Sequence, residues 1–222
     1  MLKPQRKIVR NEIKRDPLLN TLEKIESGFE NNKKIVTNVG LLIIAFVVGI
    51  YIYNNKSKQN DLESNSAFGI AMIAFSNADY ENAKFQFETV ISNFNGTDAA
   101  NMAHYFLGKI AFKNNNYDES RTYLNEYLDS ASDLVMACGA IKLLNSISLQ
   151  NGNFAESLDI LDKGNKFNIG SGAKLELQLL EAYTNIKLND FTNAREKINS
   201  ILQFKNIPFS IKQKADELNG MM

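Results

Sequence analysis

One aromatic residue recurs at a fixed interval along this chain: Tyr80, Tyr117, Phe154 and Phe191 stand 37 residues apart, three times over. Its surroundings recur with it. Asp or Asn precedes it at Asp79, Asn116, Asn153 and Asp190. Three positions later comes a small residue: Ala83, Ser120, Ser157, Ala194. Seven positions later comes a large apolar one: Phe87, Leu124, Leu161, Ile198. Nine positions earlier stand Ala71, Gly108, Asn145 and Ala182, mostly small. A period of this length is one supersecondary unit, and a unit that cannot cover its own apolar face must stack on its neighbours. The residue types fit a pair of antiparallel helices. Small residues let the two helices approach, the aromatic seals the turn, and the Asp or Asn caps the second helix. The expectation is an all-α solenoid of four helix pairs.

This pattern resembles the tetratricopeptide repeat. The second unit carries it best, with Ala103-His104-Tyr105-Phe106-Leu107-Gly108 followed by Asn116-Tyr117-Asp118-Glu119-Ser120; the third keeps Gly152-Asn153-Phe154. The chain departs from the family in its period, 37 against the usual 34, and in lacking the repeat-ending Pro except for Pro208 after the last unit. Slightly longer second helices or linkers would absorb the difference. The resemblance covers roughly residues 64–205, and residues 209–219 read as a capping helix with Ser210 as N-cap.

A second feature divides the chain. Ile35 to Asn55 is 21 residues without a charge, and its apolar part, Ile35 to Tyr53, is 19. At helical rise, 19 residues span roughly 28 Å, close to a bilayer's hydrocarbon core. In lipid a helix is the single-segment solution that satisfies every backbone group. A signal peptide fits poorly, since 34 residues precede the apolar run and Tyr-Ile-Tyr-Asn-Asn-Lys follows it. The expected organisation is a cytoplasmic amphipathic segment (1–34), a transmembrane helix (35–53), a linker (54–63) and a repeat domain (64–222). Ala45 and Gly49, four apart, give the span a small-xxx-small face for helix packing.

Charge sets the orientation. The whole chain is neutral, 25 basic residues against 25 acidic. That sum hides two halves. Residues 1–34 hold nine basic and five acidic residues, +4; residues 54–222 hold 16 and 20, −4. The positive-inside rule then keeps the N-terminus in the cytoplasm and sends the repeat domain across the membrane, into the periplasm if the cell is bacterial. Within the first segment, Asp16-Pro17 reads as a helix start, and Leu18, Leu22, Ile25 and Phe29 form one apolar stripe. The membrane surface, a second copy or a partner would each cover such a stripe.

Little in the sequence points to chemistry. One Cys and one His rule out a disulfide framework within the chain, Cys-rich zinc sites and two-His metal motifs. His104 falls where the repeat family puts a packing residue, and Cys138 lies in the apolar run Leu134-Val135-Met136-Ala137-Cys138. Gly170-Ser171-Gly172 falls between the third and fourth pairs, a linker rather than a phosphate turn. No nucleotide fingerprint or nucleophile motif occurs, so the expectation is no enzyme, no cofactor and no metal. The neutral total also argues against a nucleic-acid partner.

Protein binding is the better expectation. In the repeat class that the chain resembles, first helices line the concave surface. Counting back from each aromatic marker by twelve, eight, five and four gives Phe68, Met72, Phe75 and Ser76; Tyr105, Lys109, Phe112 and Lys113; Lys142, Ser146, Leu149 and Gln150; and Leu179, Tyr183, Ile186 and Lys187. Such a surface suits an apolar segment or a partner helix. The layout as a whole, a short charged segment, one span and a small repeat domain, looks like the ancillary subunit of the SecYEG translocon (the YfgM-like family). That resemblance implies a scaffold in the bacterial inner membrane beside translocon subunits and periplasmic folding helpers, with chaperone-like binding of emerging, unfolded clients. The competing expectation is an envelope-assembly or cell-division scaffold on the same fold.

Overall fold

The computed structural model describes residues 32–222. The amphipathic stripe Leu18, Leu22, Ile25 and Phe29 lies outside the described residues. Nine helices and no strand occur among the described residues: α1 (Lys33–Ser76), α2 (Tyr80–Asn93), α3 (Asp98–Lys113), α4 (Tyr117–Asp129), α5 (Leu134–Gln150), α6 (Phe154–Lys166), α7 (Ser171–Lys187), α8 (Phe191–Leu202) and α9 (Phe209–Asn219). The chain divides into two compact units, Met1–Ser57 and Lys58–Met222. Residues 54–63, expected as a linker, lie within helix α1.

In the first unit, α1 carries an apolar window of mean hydropathy 2.5, none of it buried. Leu42, Phe46 and Tyr51 are about 70% exposed, at 69%, 69% and 72%. None of the described residues covers these side chains. By length and composition this is a helix able to cross a membrane. Ala45 and Gly49 are both exposed on it, and a Cβ built on Gly49 would meet nothing within 4 Å.

The second unit is the stack of helix pairs that the period requires. Its core begins at Ser64 and Ala67 in α1. Consecutive helices pack together, the first helices α3, α5 and α7 also touch in sequence, and α9 closes the stack against α7 and α8. Each small residue after the marker, Ala83, Ser120, Ser157 and Ala194, is fully buried. So is each large residue at the next turn, Phe87, Leu124, Leu161 and Ile198. A Cβ on Gly108 would lie 2.6 Å from Leu124 Cγ, so the second pair closes on a position with no room for a side chain.

The turn between paired helices is one repeated device. Ala78, Asn115, Gly152 and Asn189, again 37 apart, all have positive φ, at 60°, 60°, 70° and 59°. Each amide bonds back three residues, and the next amide reaches back five: Asn115 N–H to Phe112 O (3.1 Å), Asn116 N–H to Ala111 O (2.9 Å). This paired pattern is a Schellman motif, which needs one left-handed residue after the helix. The aromatic marker then packs on the helix just ended, Tyr80 on Phe75 at 5.6 Å and Tyr117 on Phe112 at 5.7 Å between centroids.

The caps divide by residue type. Asp79 and Asp190 accept from the amides of Asn82 (3.4 Å) and Asn193 (3.1 Å). Asn116 and Asn153, expected to do the same, make no side-chain cap bond. Their amides instead donate to Glu119 and Glu156 on the first turn. The capping helix α9 has Pro208 rather than Ser210 at its N-cap, with no side-chain bond there. The extra residues of the 37-residue period were expected in second helices or linkers. The first helices α3, α5 and α7 are the long ones, at 16, 17 and 17 residues, while the second helices run 12 to 14.

Candidate partner-binding face

The face formed by the first helices gathers most of the residues singled out above. Phe68 and Phe75 from α1 meet Phe87 from α2 and Phe106 from α3, with Phe75 to Phe106 at 5.1 Å and Phe87 stacked on Phe106 at 5.4 Å. Phe68 and Phe75 are half-buried in this cluster, so they seal the first two pairs together as well as edging the face. Met72 packs beside them. Tyr105 leans from α3 onto Tyr127 of α4 at 5.4 Å. Burial raises the phenol pKa of Tyr105.

The lysines of this face sit over rings. The ammonium of Lys109 lies 5.4–5.5 Å from the centroids of Phe75, Tyr105 and Phe106. Lys113 lies 4.9 Å from that of Tyr80, and Lys187 5.2 Å from that of Tyr183. Ring faces attract a cation without neutralising it. Lys142 differs: its ammonium is 2.6 Å from Glu176, a hydrogen bond that raises its pKa.

Two members of the expected groove are elsewhere. Leu179 is 6% exposed and belongs to the core that α9 completes with Ile211 and Ala215. Ile186 is also buried, at 8%. Counting by repeat treats the fourth pair as an interior unit, but there the terminal helix packs into the core that holds Leu179. Leu179 and Ile186 are therefore packing residues, and the face at the fourth pair is carried by Tyr183 and Lys187.

Sequence reasoning missed the ion pairs that join one unit to the next. Lys84 of α2 bonds Glu119 of α4 at 2.6 Å. Arg121 of α4 grips Glu156 of α6 with two nitrogens, Nη2 to Oε2 at 3.1 Å. The 37-residue period carries Lys84 onto Arg121 and Glu119 onto Glu156, so these are the same bond in successive units. The period itself held this signal: the next pair of positions is Leu158 and Asn193, and the ladder stops there. A different contact joins the last units. Glu181 of α7, 5% exposed, is reached by Lys197 of α8 at 2.6 Å and by the amide of Asn165 from α6.

The residues weighed for chemistry are packed rather than poised. His104 places Nδ1 2.8 Å from Glu126 and tilts against Tyr123 at 6.1 Å. Burial holds its pKa below the ordinary value despite that carboxylate. Cys138 is buried and its thiol pKa is raised by burial, which disfavours the reactive thiolate. Gly170 is the N-cap of α7, and Ser171 and Gly172, expected in a linker, are the first two residues of that helix.

No curated protein matches the chain. A family does: residues 28–169 match the tetratricopeptide repeat-like domain. The match takes in the apolar window and the first three helix pairs, and the fourth pair extends the same 37-residue spacing beyond it. In such domains stacked pairs serve as protein-interaction modules rather than catalysts. With four helix pairs on one period and well over half its length matched, the chain belongs to the tetratricopeptide repeat-like domain family.

Proposed function

We propose that the protein is a single-pass membrane-anchored scaffold that holds protein partners on its first-helix face. The apolar window of α1, exposed among the described residues and joined in one chain to an interaction domain, carries this reading. The charge asymmetry, +4 before the window and −4 after it, supports a cytoplasmic N-terminus and a periplasmic repeat domain in a bacterial inner membrane. The layout supports the secretion translocon and periplasmic folding helpers as partners, and emerging unfolded chains as clients. The half-buried apolar residues of the face suit such chains, which expose apolar side chains before folding.

Two experiments test this. Purification in mild detergent should carry translocon subunits or folding helpers with the protein; a complex holding only envelope-assembly or division proteins moves the scaffold to that process. Protease added to intact spheroplasts should digest the repeat domain. Its protection would reverse the orientation.

A further inference from the structure

The first-helix face carries cations that the rest of its domain does not explain. Residues 58–222 hold 15 basic and 20 acidic residues, so the domain is acidic overall. Yet the sixteen positions counted out along the first helices include Lys109, Lys113, Lys142 and Lys187 and no carboxylate. Lys142 is neutralised by Glu176. The other three have no carboxylate within ion-pair distance among the described residues.

Their placement is regular. Lys109 and Lys113 are one turn apart on α3, and Lys187 occupies on α7 the register that Lys113 holds on α3. Each lies over an aromatic ring, which holds the ammonium in place and leaves its charge unspent. Between them, α5 contributes Ser146, Leu149 and Gln150, all neutral. With packed helices 8–10 Å apart, Lys113 and Lys187 stand roughly 20 Å apart, the reach of about six extended residues.

We infer that this face selects acidic segments of its partners: carboxylates on Lys113 and Lys187, with apolar side chains against Met72, Phe112 and Leu149 between and beside them. The inference deepens the scaffold reading and rests on it. Complementarity of this kind steers encounter and rejects like-charged chains.

The test uses the full-length protein in nanodiscs of neutral lipid. The probe is a fluorescein-labelled peptide in which Glu alternates with Leu and Phe, compared with the same peptide carrying Gln or Lys in place of Glu. The Glu peptide should bind tightest, and raising salt should weaken it. Lys113→Glu with Lys187→Glu should weaken it by about tenfold, while Lys212→Glu with Lys214→Glu on α9, an equal charge change, should shift it by less than about twofold. Helical circular dichroism must be retained in both. Equal binding of the Glu and Gln peptides, or no loss on reversing Lys113 and Lys187, overturns the inference. So does displacement of the Glu peptide by phosphatidylglycerol vesicles, which would assign the lysines to a lipid surface. If the Gln peptide binds as well and Phe112→Ala abolishes it, charge selection fails while the face remains a binding surface. If no peptide binds, both fail.

Discussion

Arg121 reaches from one helix pair to the next to hold Glu156 with two guanidinium nitrogens, while Ser148 donates to the same carboxylate at 2.9 Å. Lys84 and Glu119 make the equivalent bond one unit earlier. In a solenoid, stability divides into the worth of each unit and the worth of each junction, and these bonds belong to the junctions. A double-mutant cycle on Arg121→Ala and Glu156→Ala should give a coupling of about 1 kcal/mol, at the upper end for a partly exposed pair because the grip is two-pronged. A coupling of zero would reduce the ladder to decoration.

The same carboxylate makes a pH prediction. The hydrogen bond from Arg121, and behind it the one from Ser148, hold the Glu156 carboxyl below its usual range. A depressed carboxyl contributes stability above the unfolded-state value, near 4.3. That contribution is lost as pH falls through the lower folded value. His104 acts at higher pH. Burial lowers its pKa against the opposing pull of Glu126, so the unfolded chain takes the proton first. Stability begins to fall as pH drops through about 6.5. Unfolding midpoints followed against pH should show both steps. His104→Gln should flatten the upper one and Glu156→Gln the lower.

The turn residues give a stability test. Ala78 has φ 60°, a conformation that costs a Cβ about 1 kcal/mol. Its equivalent, Gly152, has φ 70° with open space around it. Ala78→Gly should therefore stabilise the repeat domain by about 0.5–1 kcal/mol, and Gly152→Ala should destabilise it by a similar amount. Denaturant unfolding of the detergent-solubilised protein reads both.

Ser120 and Ser157 occupy the same repeat position in different company. Ser120 donates to the carbonyl of Gly108 at 2.8 Å. Ser157 lies 2.5 Å from the side-chain oxygen of Asn145, whose amide nitrogen is buried with no partner among the described residues. Ser120→Ala should cost about 1 kcal/mol or less, because a helical carbonyl keeps its backbone donor. Ser157→Ala should cost about 1–3 kcal/mol, since it strands a buried amide entirely. Adding Asn145→Ala should recover part of that loss. It recreates the pairing of small residues that Ala71 with Ala83, and Ala182 with Ala194, provide in the end units.

Much of this is legible in the sequence because repetition multiplies weak signals. One Tyr followed by a small residue means little, but four at equal spacing place the fully buried residues Phe87, Leu124, Leu161 and Ile198 of the second helices. What stays hidden has physical causes. Ala78 carries no turn signature of its own, and only its equivalents Asn115, Gly152 and Asn189 betray the left-handed position. Asn116 and Asn153 look like caps because Asn and Asp are near equivalents there, yet a Glu three residues on takes the amide instead. Register alone assigns Leu179 and Ile186 to the face, yet both are buried, Leu179 in the core that the terminal helix α9 completes.

The central claim is that partners are held on the first-helix face of a membrane-anchored repeat domain. Photo-crosslinking amino acids placed in living cells at Met72, Phe112 and Gln150 on that face, and at Ser92, Thr122 and Asp159 on the second helices α2, α4 and α6, test it most directly. The account predicts adducts with other proteins from the first set and none from the second. Adducts confined to the second helices would contradict it.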